Sequence, residues 1–180
     1  MTDDPETERA ANVVRTAPPP VRQATTVRSD RAHTFEVFVR TIGEWWPTVP
    51  FSNGGEQVAT VVLEPRVGGR FYERWTDGTE CEWGEVLAWD PPEAFTTTWL
   101  VKGTPTRVEI TFRELGPTLT RVELVHSGWE ALTGGQRRED CALPGGYEGG
   151  AYVEGWRRIL GSFAGMLGGP VAEAIGSADA

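Results

Sequence analysis

The sequence predicts an α+β fold: a curved antiparallel β-sheet wrapped on one long C-terminal helix, with two short helices after the first strand. Two observations predict it. Most of the central chain consists of short strand-like segments separated by Gly, Pro and Asp turns, which is typical of consecutive antiparallel strands. A segment near the C-terminus instead repeats apolar residues at spacings of three and four, which is typical of an amphipathic helix.

The first elements are a strand and a helix. Residues 21–28 read as the strand, and Ser29 or Asp30 is a suitable N-cap for a helix through Arg40. The apolar residues of this helical segment share one face, namely Phe35, Phe38, Val39 and Ile42.

Two adjacent tryptophans follow, and Pro47 and Pro50 then forbid continuation of a helix. A regular element turns neighbouring side chains to different faces, so it cannot bury Trp45 and Trp46 in one core. Either Trp45 packs in the core while Trp46 and Phe51 roof a cavity, or both rings pack against the C-terminal helix.

After Pro50 the apolar residues recur at every second position, as in strands, and no longer at helical spacing. Six further strands are predicted. The Asp77-Gly78 pair is a hairpin signal within this meander. The predicted strands are 58–63, 70–75, 80–89, 95–101, 107–115 and 118–126.

Residues 127–150 are rich in Gly and charge and longer than an ordinary connection, so we expect a lid or binding loop. The C-terminal helix follows. Its predicted buried face consists of Tyr152, Trp156, Ile159, Phe163 and either Met166 or Leu167.

The 180 residues are sufficient for one domain, which we place at 21–167. Residues 1–20 have little apolar content and predict a disordered arm, and residues 168–180 predict a flexible tail. The net charge of −9 argues against a nucleic-acid or anionic-membrane surface.

Neither a secretory signal nor an apolar run long enough to span a bilayer is visible in the sequence. Cys81 and Cys141 are far apart in sequence and indicate two reduced thiols. We therefore expect a cytoplasmic protein.

Several motifs together resemble a known family. They are E-W-W-P at 44–47, L-E-P-R-V-G-G-R-F at 63–71, G-E-V-L-A-W-D-P-P at 84–92, Thr98-Trp99 and Gly155-Trp156. With the order of elements, they resemble the helix-grip fold of the SRPBCC or START-like superfamily. Within it they are similar to bacterial single-domain relatives of the C-terminal domain of the activator of the heat-shock-protein-ninety ATPase.

This resemblance implies a hydrophobic cavity or groove between the sheet and the C-terminal helix. It does not imply a reaction, because the superfamily includes lipid carriers, cyclases, receptors and co-chaperones. The true activators carry a separate N-terminal client-binding domain, which a 20-residue arm cannot replace.

Strand alternation and the high tryptophan content indicate which residues line this cavity. The candidate ligand-binding residues are Trp46, Phe51, Phe71, Glu73, Trp75, Trp83, Glu85, Trp99, His126, Trp129, Tyr152 and Trp156.

Three of these are polar candidates. An inward Glu73 in an aromatic cavity would have a raised pKa and could act as acid, base or hydrogen-bond anchor, unless it pairs with Arg70 or Arg74. Glu85 is similar, unless a bulge changes its face. His126 could be a proton shuttle, a ligand anchor or a structural residue.

The leading hypothesis is therefore binding of an apolar small molecule, such as a lipid, an aromatic compound or a polyketide-like compound. A cyclase or hydrolase using Glu73 and His126 is the second, and a co-chaperone-like interaction module or homodimer is the third. No phosphate-loop, dinucleotide or hydrolase motif is present, and we expect neither a cofactor nor a metal site.

Overall fold

The computed structural model describes residues 17–171, which form a curled seven-stranded antiparallel sheet with helices on its inner face. The predicted arm and tail lie mostly outside the described residues. The strands are β1 Val21–Val27, β2 Val58–Leu63, β3 Arg70–Trp75, β4 Glu80–Asp90, β5 Ala94–Val101, β6 Thr104–Gly116 and β7 Leu119–Ser127. The helices are α1 Arg31–Arg40, α2 Ile42–Trp45, α3 Gly134–Arg138 and α4 Ala151–Met166.

The strand order β1-β7-β6-β5-β4-β3-β2 places the first two strands at opposite edges of the sheet. Register shifts interrupt the pairing of β2 with β3, of β3 with β4 and of β4 with β5. Such bulges bend the strand that carries them. The sheet therefore curls around the helices, and the predicted α+β helix-grip fold is confirmed.

Helix α1 begins where the sequence predicts. The Asp30 carboxylate accepts a hydrogen bond from the His33 amide at 2.9 Å, which satisfies one free donor of the first turn. Phe35 and Phe38 then pack their rings against Phe112 of β6. This contact fixes α1 on the inner face of the sheet.

The adjacent tryptophans are both buried because the helix ends between them. Trp45 is the last residue of α2, whereas Trp46 has an extended backbone (φ −67°, ψ 122°), so the two side chains do not follow one helical progression. Only 3% of Trp45 and 6% of Trp46 is exposed. Their indole N–H groups donate to the carbonyls of Phe38 and Phe51, at 3.1 and 2.7 Å.

Helix α4 closes the inner face. Its buried face includes the predicted Trp156, Ile159 and Phe163, and Met166 is exposed while Leu167 packs on the core. Ser162 donates a hydrogen bond to the Trp45 carbonyl, which joins α4 to α2. Among residues 17–171, no helix has the length and apolar content needed to span a membrane.

The predicted lid segment is more regular than expected. It contains a 3₁₀ turn, Trp129–Ala131, and helix α3. Thr133 and Gln136 form a reciprocal capping box at the start of α3, which accounts for this short helix.

Phe163 provides a test of the α4 contact with the core. Its ring is fully buried and lies 4.8 Å from the Phe38 ring and 5.3 Å from the Trp45 ring, centroid to centroid. We expect Phe163→Ala to lower the free energy of unfolding by about 3 to 5 kcal/mol, measured by chemical denaturation. The control Met166→Ala, on the exposed side of the same helix, should cost less than about 1 kcal/mol. Equal losses would contradict this packing.

Candidate functional site

A pocket of about 800 Å³ lies between α4 and the inner face of the sheet, and it opens to solvent. Its walls come from β4 and β5, from α4, from the loop at residues 50–53 and from the lid at residues 140–142. The predicted cavity between sheet and helix is therefore present, and lid residues contribute to its walls.

Four indole rings, Trp46, Trp83, Trp99 and Trp156, form the pocket's inner wall, and we call them the tryptophan cluster. The ring centroids of Trp46 and Trp83 are 5.0 Å apart, and those of Trp99 and Trp156 are 4.9 Å apart. Trp83 and Trp99 join the two pairs at 5.5 Å. These tilted and edge-on arrangements are the ones that aromatic quadrupoles favour.

Small residues keep the helical side of the pocket open. Ala151 and Gly155 lie on the face of α4 that lines it. A Cβ atom at Gly155 would be 3.3 Å from the Phe51 ring, so glycine permits this close approach. Phe51 is only half-buried and forms the outer edge of the aromatic wall.

The polar side chains of the pocket lie near its opening. Burial raises the pKa of Tyr152, with a further increase from contact with Cys141, so the phenol stays protonated and can donate a hydrogen bond. Burial, followed by the nearby Glu73 charge, raises the pKa of Cys81. The Cys81 thiol accepts from the Asn53 side chain at 3.3 Å. A neutral thiol is a poor nucleophile, so these groups favour binding over covalent chemistry.

Glu73 points inward as predicted, but its carboxylate is fully occupied. It accepts hydrogen bonds from the backbone amides of Asn53 and Gly54, at 2.9 and 2.7 Å. It also accepts from the indole N–H groups of Trp75 and Trp83, at 2.6 and 2.9 Å. The side chain is fully buried and does not line the pocket. Glu73 thus fixes the 50–53 loop and the Trp83 ring, and neither Arg70 nor Arg74 pairs with it, since both pair with Glu80.

His126 is a second buried polar centre. Its Nδ1 accepts from the Trp156 indole at 3.1 Å, so the proton lies on Nε2, which is 2.7 Å from the Thr106 hydroxyl oxygen. Thr106 in turn donates to the Trp99 carbonyl, and the His126 carbonyl accepts from the Trp129 indole. Burial lowers the pKa of His126 to about 3, so the ring is neutral at physiological pH.

The structure does not bring Glu73 and His126 together. The two residues lie on β3 and β7, which three strands separate. The rings of Trp83 and Trp99 stand between them, since Trp83 binds Glu73 and Trp99 packs on His126. The predicted acid–base pair is therefore wrong in this form.

Glu85 is the other correction. It was expected to share the inward face of β4 with Trp83, yet it is exposed. Phe71 pairs with Gly84 and Tyr72 pairs with Glu82, so Trp83 is an extra residue in the ladder and the alternation changes beyond it.

Half of the twelve predicted ligand-binding residues line the pocket, and their contact with a ligand stays a prediction. They are Trp46, Phe51, Trp83, Trp99, Tyr152 and Trp156. The other six lie outside its lining, namely Phe71, Glu73, Trp75, Glu85, His126 and Trp129.

Sequence reasoning missed several pocket residues. Cys141, Lys102 and Asp140 line it. Cys81, which strand alternation places on the same face as Trp83, lines it as well. The length of the 127–150 segment indicated a lid, but no local pattern marks which of its side chains face the pocket. Within residues 17–171, no three His, Cys, Asp or Glu side chains are grouped so that they could hold a metal ion.

Replacement of the Glu73 carboxylate tests its structural role. In Glu73→Gln an amide NH₂ replaces one acceptor oxygen, so donors that now bind that oxygen lose their partner. We expect a loss of about 2 to 4 kcal/mol in the free energy of unfolding, measured by chemical denaturation. The exposed Glu85→Gln should change it by less than about 0.5 kcal/mol. A Glu73→Gln protein as stable as Glu85→Gln would refute the assignment.

The pKa of His126 predicts a specific acid sensitivity. In the unfolded chain His126 binds a proton near pH 6.5, whereas in the folded chain it does so only near pH 3. The contribution of the neutral His126 ring to the free energy of unfolding is therefore complete above about pH 6.5 and falls as the pH decreases from 6.5 toward 3. We expect His126 to contribute a slope of about 1.4 kcal/mol per pH unit between pH 6 and 4.

Denaturation midpoints measured across this range check the slope. His126→Gln should remove it, whereas His33→Gln, at the exposed histidine of α1, should keep it. Identical pH profiles for the wild type and His126→Gln would show that the ring is not held neutral.

The match to known proteins agrees with this geometry. Residues 31–168 match the family model described as Activator of Hsp90 ATPase homolog 1-like protein. No curated protein matches the chain.

Several solved structures are similar. An anthrahydroquino-γ-pyrone synthase, Txn09, is 34% identical, with a TM-score of 0.50 over 67% of this chain and 83% of that one. The self-sacrificing resistance protein CalC from Micromonospora echinospora is 25% identical, with a TM-score of 0.56 over 83% of this chain and 94% of that one.

Protein MLL2253 from Mesorhizobium loti, at 21% identity, shares the fold, with a TM-score of 0.58 over 83% of this chain and 96% of that one. The family match covers α1 through α4, and the helix-grip topology is common to these neighbours. The chain thus belongs to the family of Activator of Hsp90 ATPase homolog 1-like proteins, within the SRPBCC superfamily.

Proposed function

We propose that the protein binds an apolar small molecule with an extended aromatic body in the pocket between the sheet and α4. The observation that carries this proposal is the tryptophan cluster, which forms one continuous wall of an 800 Å³ pocket. Pockets of about 300 to 1,000 Å³ with apolar, aromatic linings are typical of small-molecule sites.

The geometry supports an aromatic ligand over a flexible acyl chain. Each aromatic pair in a favourable orientation is worth about 0.5 to 1.5 kcal/mol beyond the area that it buries. A planar ring system would contact several of these rings, since Trp99, Trp156 and Phe51 all line the pocket. The neutral Tyr152 phenol would donate a hydrogen bond to a ligand oxygen and so orient it.

One of the two more similar neighbours supports this class of ligand. Txn09 is named as the synthase of an anthrahydroquino-γ-pyrone, and CalC as a resistance protein. We infer that this chain binds a polyketide-like aromatic compound. Because Txn09 is named as a synthase, an enzymatic role is the second hypothesis for this chain. Such a role would use residues other than the pair of Glu73 and His126.

The remaining predictions on partners rest on the sequence. The charge of −9 favours neither nucleic acid nor an anionic membrane as partner, and we expect a cytoplasmic location. Light scattering would separate a monomer from the homodimer considered above. A pull-down with the cell's heat-shock ATPase would test the co-chaperone hypothesis.

Two leucine substitutions on one helix test the pocket. Gly155→Leu places a side chain against Phe51 and into the pocket, whereas the Cβ of Gly161→Leu meets no atom within 4 Å. Both replace glycine by a better helix former, which is worth about 1 kcal/mol. We expect anthracene-2-carboxamide to quench tryptophan fluorescence saturably in the wild type and in Gly161→Leu, and to bind Gly155→Leu at least about tenfold more weakly.

A wild-type protein that shows no saturable quenching would contradict the proposal. So would a Gly155→Leu protein that binds this probe as tightly as Gly161→Leu.

A further inference from the structure

We propose that the ligand of this pocket carries an acidic group at its outer end, and that Lys102 receives this group by exchanging it for Glu139 of the lid. The inference rests on the proposed function and specifies the ligand further: an aromatic body with a carboxylate or an ionised enol.

Lys102 is the one basic side chain among the described residues that line the pocket. It lies in the turn between β5 and β6, and the lid residues Asp140, Cys141 and Ala142 line the same pocket. The aromatic inner wall offers no charge, so an ionised group on a ligand would find its counter-ion at this opening.

The present partner of Lys102 is held loosely. The Lys102 ammonium is 3.7 Å from a carboxylate oxygen of Glu139, and about half of each side chain is exposed, at 46% and 54%. Ion pairs of this kind in water contribute little, so a ligand can displace Glu139 at small cost. Exchange would also release the lid from its ionic contact with the β5–β6 turn.

The two acidic residues of the lining do not oppose this assignment. The Asp140 carboxylate accepts the Gly145 amide at 2.7 Å and is thus directed into its own loop. Glu82 pairs in register with Tyr72, whose ring lies under the Arg70 guanidinium on the outer face of the sheet. Residues directly opposite each other in an antiparallel pair share one face, so the Glu82 side chain lies on that outer face as well.

The backbone at Lys102 is a second, independent observation. Lys102 has a positive φ of 50°, and Gly103 follows with a φ of 78°. A two-residue hairpin turn with both φ values positive favours Asn-Gly or Asp-Gly, because the Cβ atom of other L residues is crowded there while Asn and Asp gain local hydrogen bonds. Lysine thus occupies a position that the turn alone would give to asparagine.

This preference provides a variant that removes the charge without harming the fold. Lys102→Asn gives the turn the residue that it favours, and Lys102→Arg keeps the charge. The probes are three anthracenes of similar size: anthracene-2-carboxylate, anthracene-2-carboxamide and 2-(aminomethyl)anthracene. Affinities are measured by tryptophan quenching at pH 7.5 and low salt.

We expect the wild type to bind the carboxylate about two- to fivefold more tightly than the carboxamide, although the net charge of −9 acts in the opposite direction. Lys102→Asn should abolish this preference and Lys102→Arg should keep it. Glu139→Gln, which frees Lys102, should strengthen binding of the carboxylate and leave the carboxamide unchanged. The preference should shrink in 1 M salt.

Equal affinity for the carboxylate and the carboxamide would overturn the inference while leaving the proposed function intact. A preference that survives in Lys102→Asn, or tighter binding of the amine, would overturn it in the same way. Failure of all three probes to bind the wild type would instead contradict the proposed function and this inference with it.

Discussion

The structure depends on one constraint: buried indole N–H groups must find acceptors, because an unpaired donor in a core costs about 1 to 3 kcal/mol, more than a typical hydrogen bond contributes. Glu73 accepts from Trp75 and Trp83, and His126 accepts from Trp129 and Trp156. The two residues act from opposite sides of the tryptophan cluster. Within the cluster they fix the Trp83 and Trp156 rings, while the Phe51 carbonyl accepts from Trp46, and the wall of the pocket follows from that arrangement.

The same constraint explains why the two most reactive-looking residues are structural. The Glu73 carboxylate accepts four hydrogen bonds, and both ring nitrogens of His126 are hydrogen-bonded. Neither side chain therefore has a hydrogen-bonding position left for a substrate. The polar side chains that line the pocket and can bind a ligand include Tyr152, Asn53 and Lys102. The pocket is therefore aromatic within and polar at its rim, which is the polarity of an aromatic ligand with one oxygen-bearing end.

Much of the fold follows from local signals in the sequence. The Asp30 cap, the two prolines after Trp46 and the Asp77-Gly78 turn each act over a few residues, so the element order and most bounds could be predicted. The site could be predicted only in part. The bulge opposite Phe71 breaks the alternation that would place Glu85 inward, and a bulge leaves no mark in the pattern of one strand. Lys102, Cys81 and Cys141 meet only through the topology.

Indole N–H resonances in a two-dimensional ¹H–¹⁵N NMR spectrum provide the most direct measurement of the central claim, since each tryptophan gives one signal. On titration with anthracene-2-carboxamide, we predict that the signals of the tryptophan cluster shift saturably at one common affinity. The signals of Trp75 and Trp129, which lie behind Glu73 and His126, should stay in place. Signals that all remain unchanged, or that all shift alike, would contradict a pocket whose wall is the tryptophan cluster.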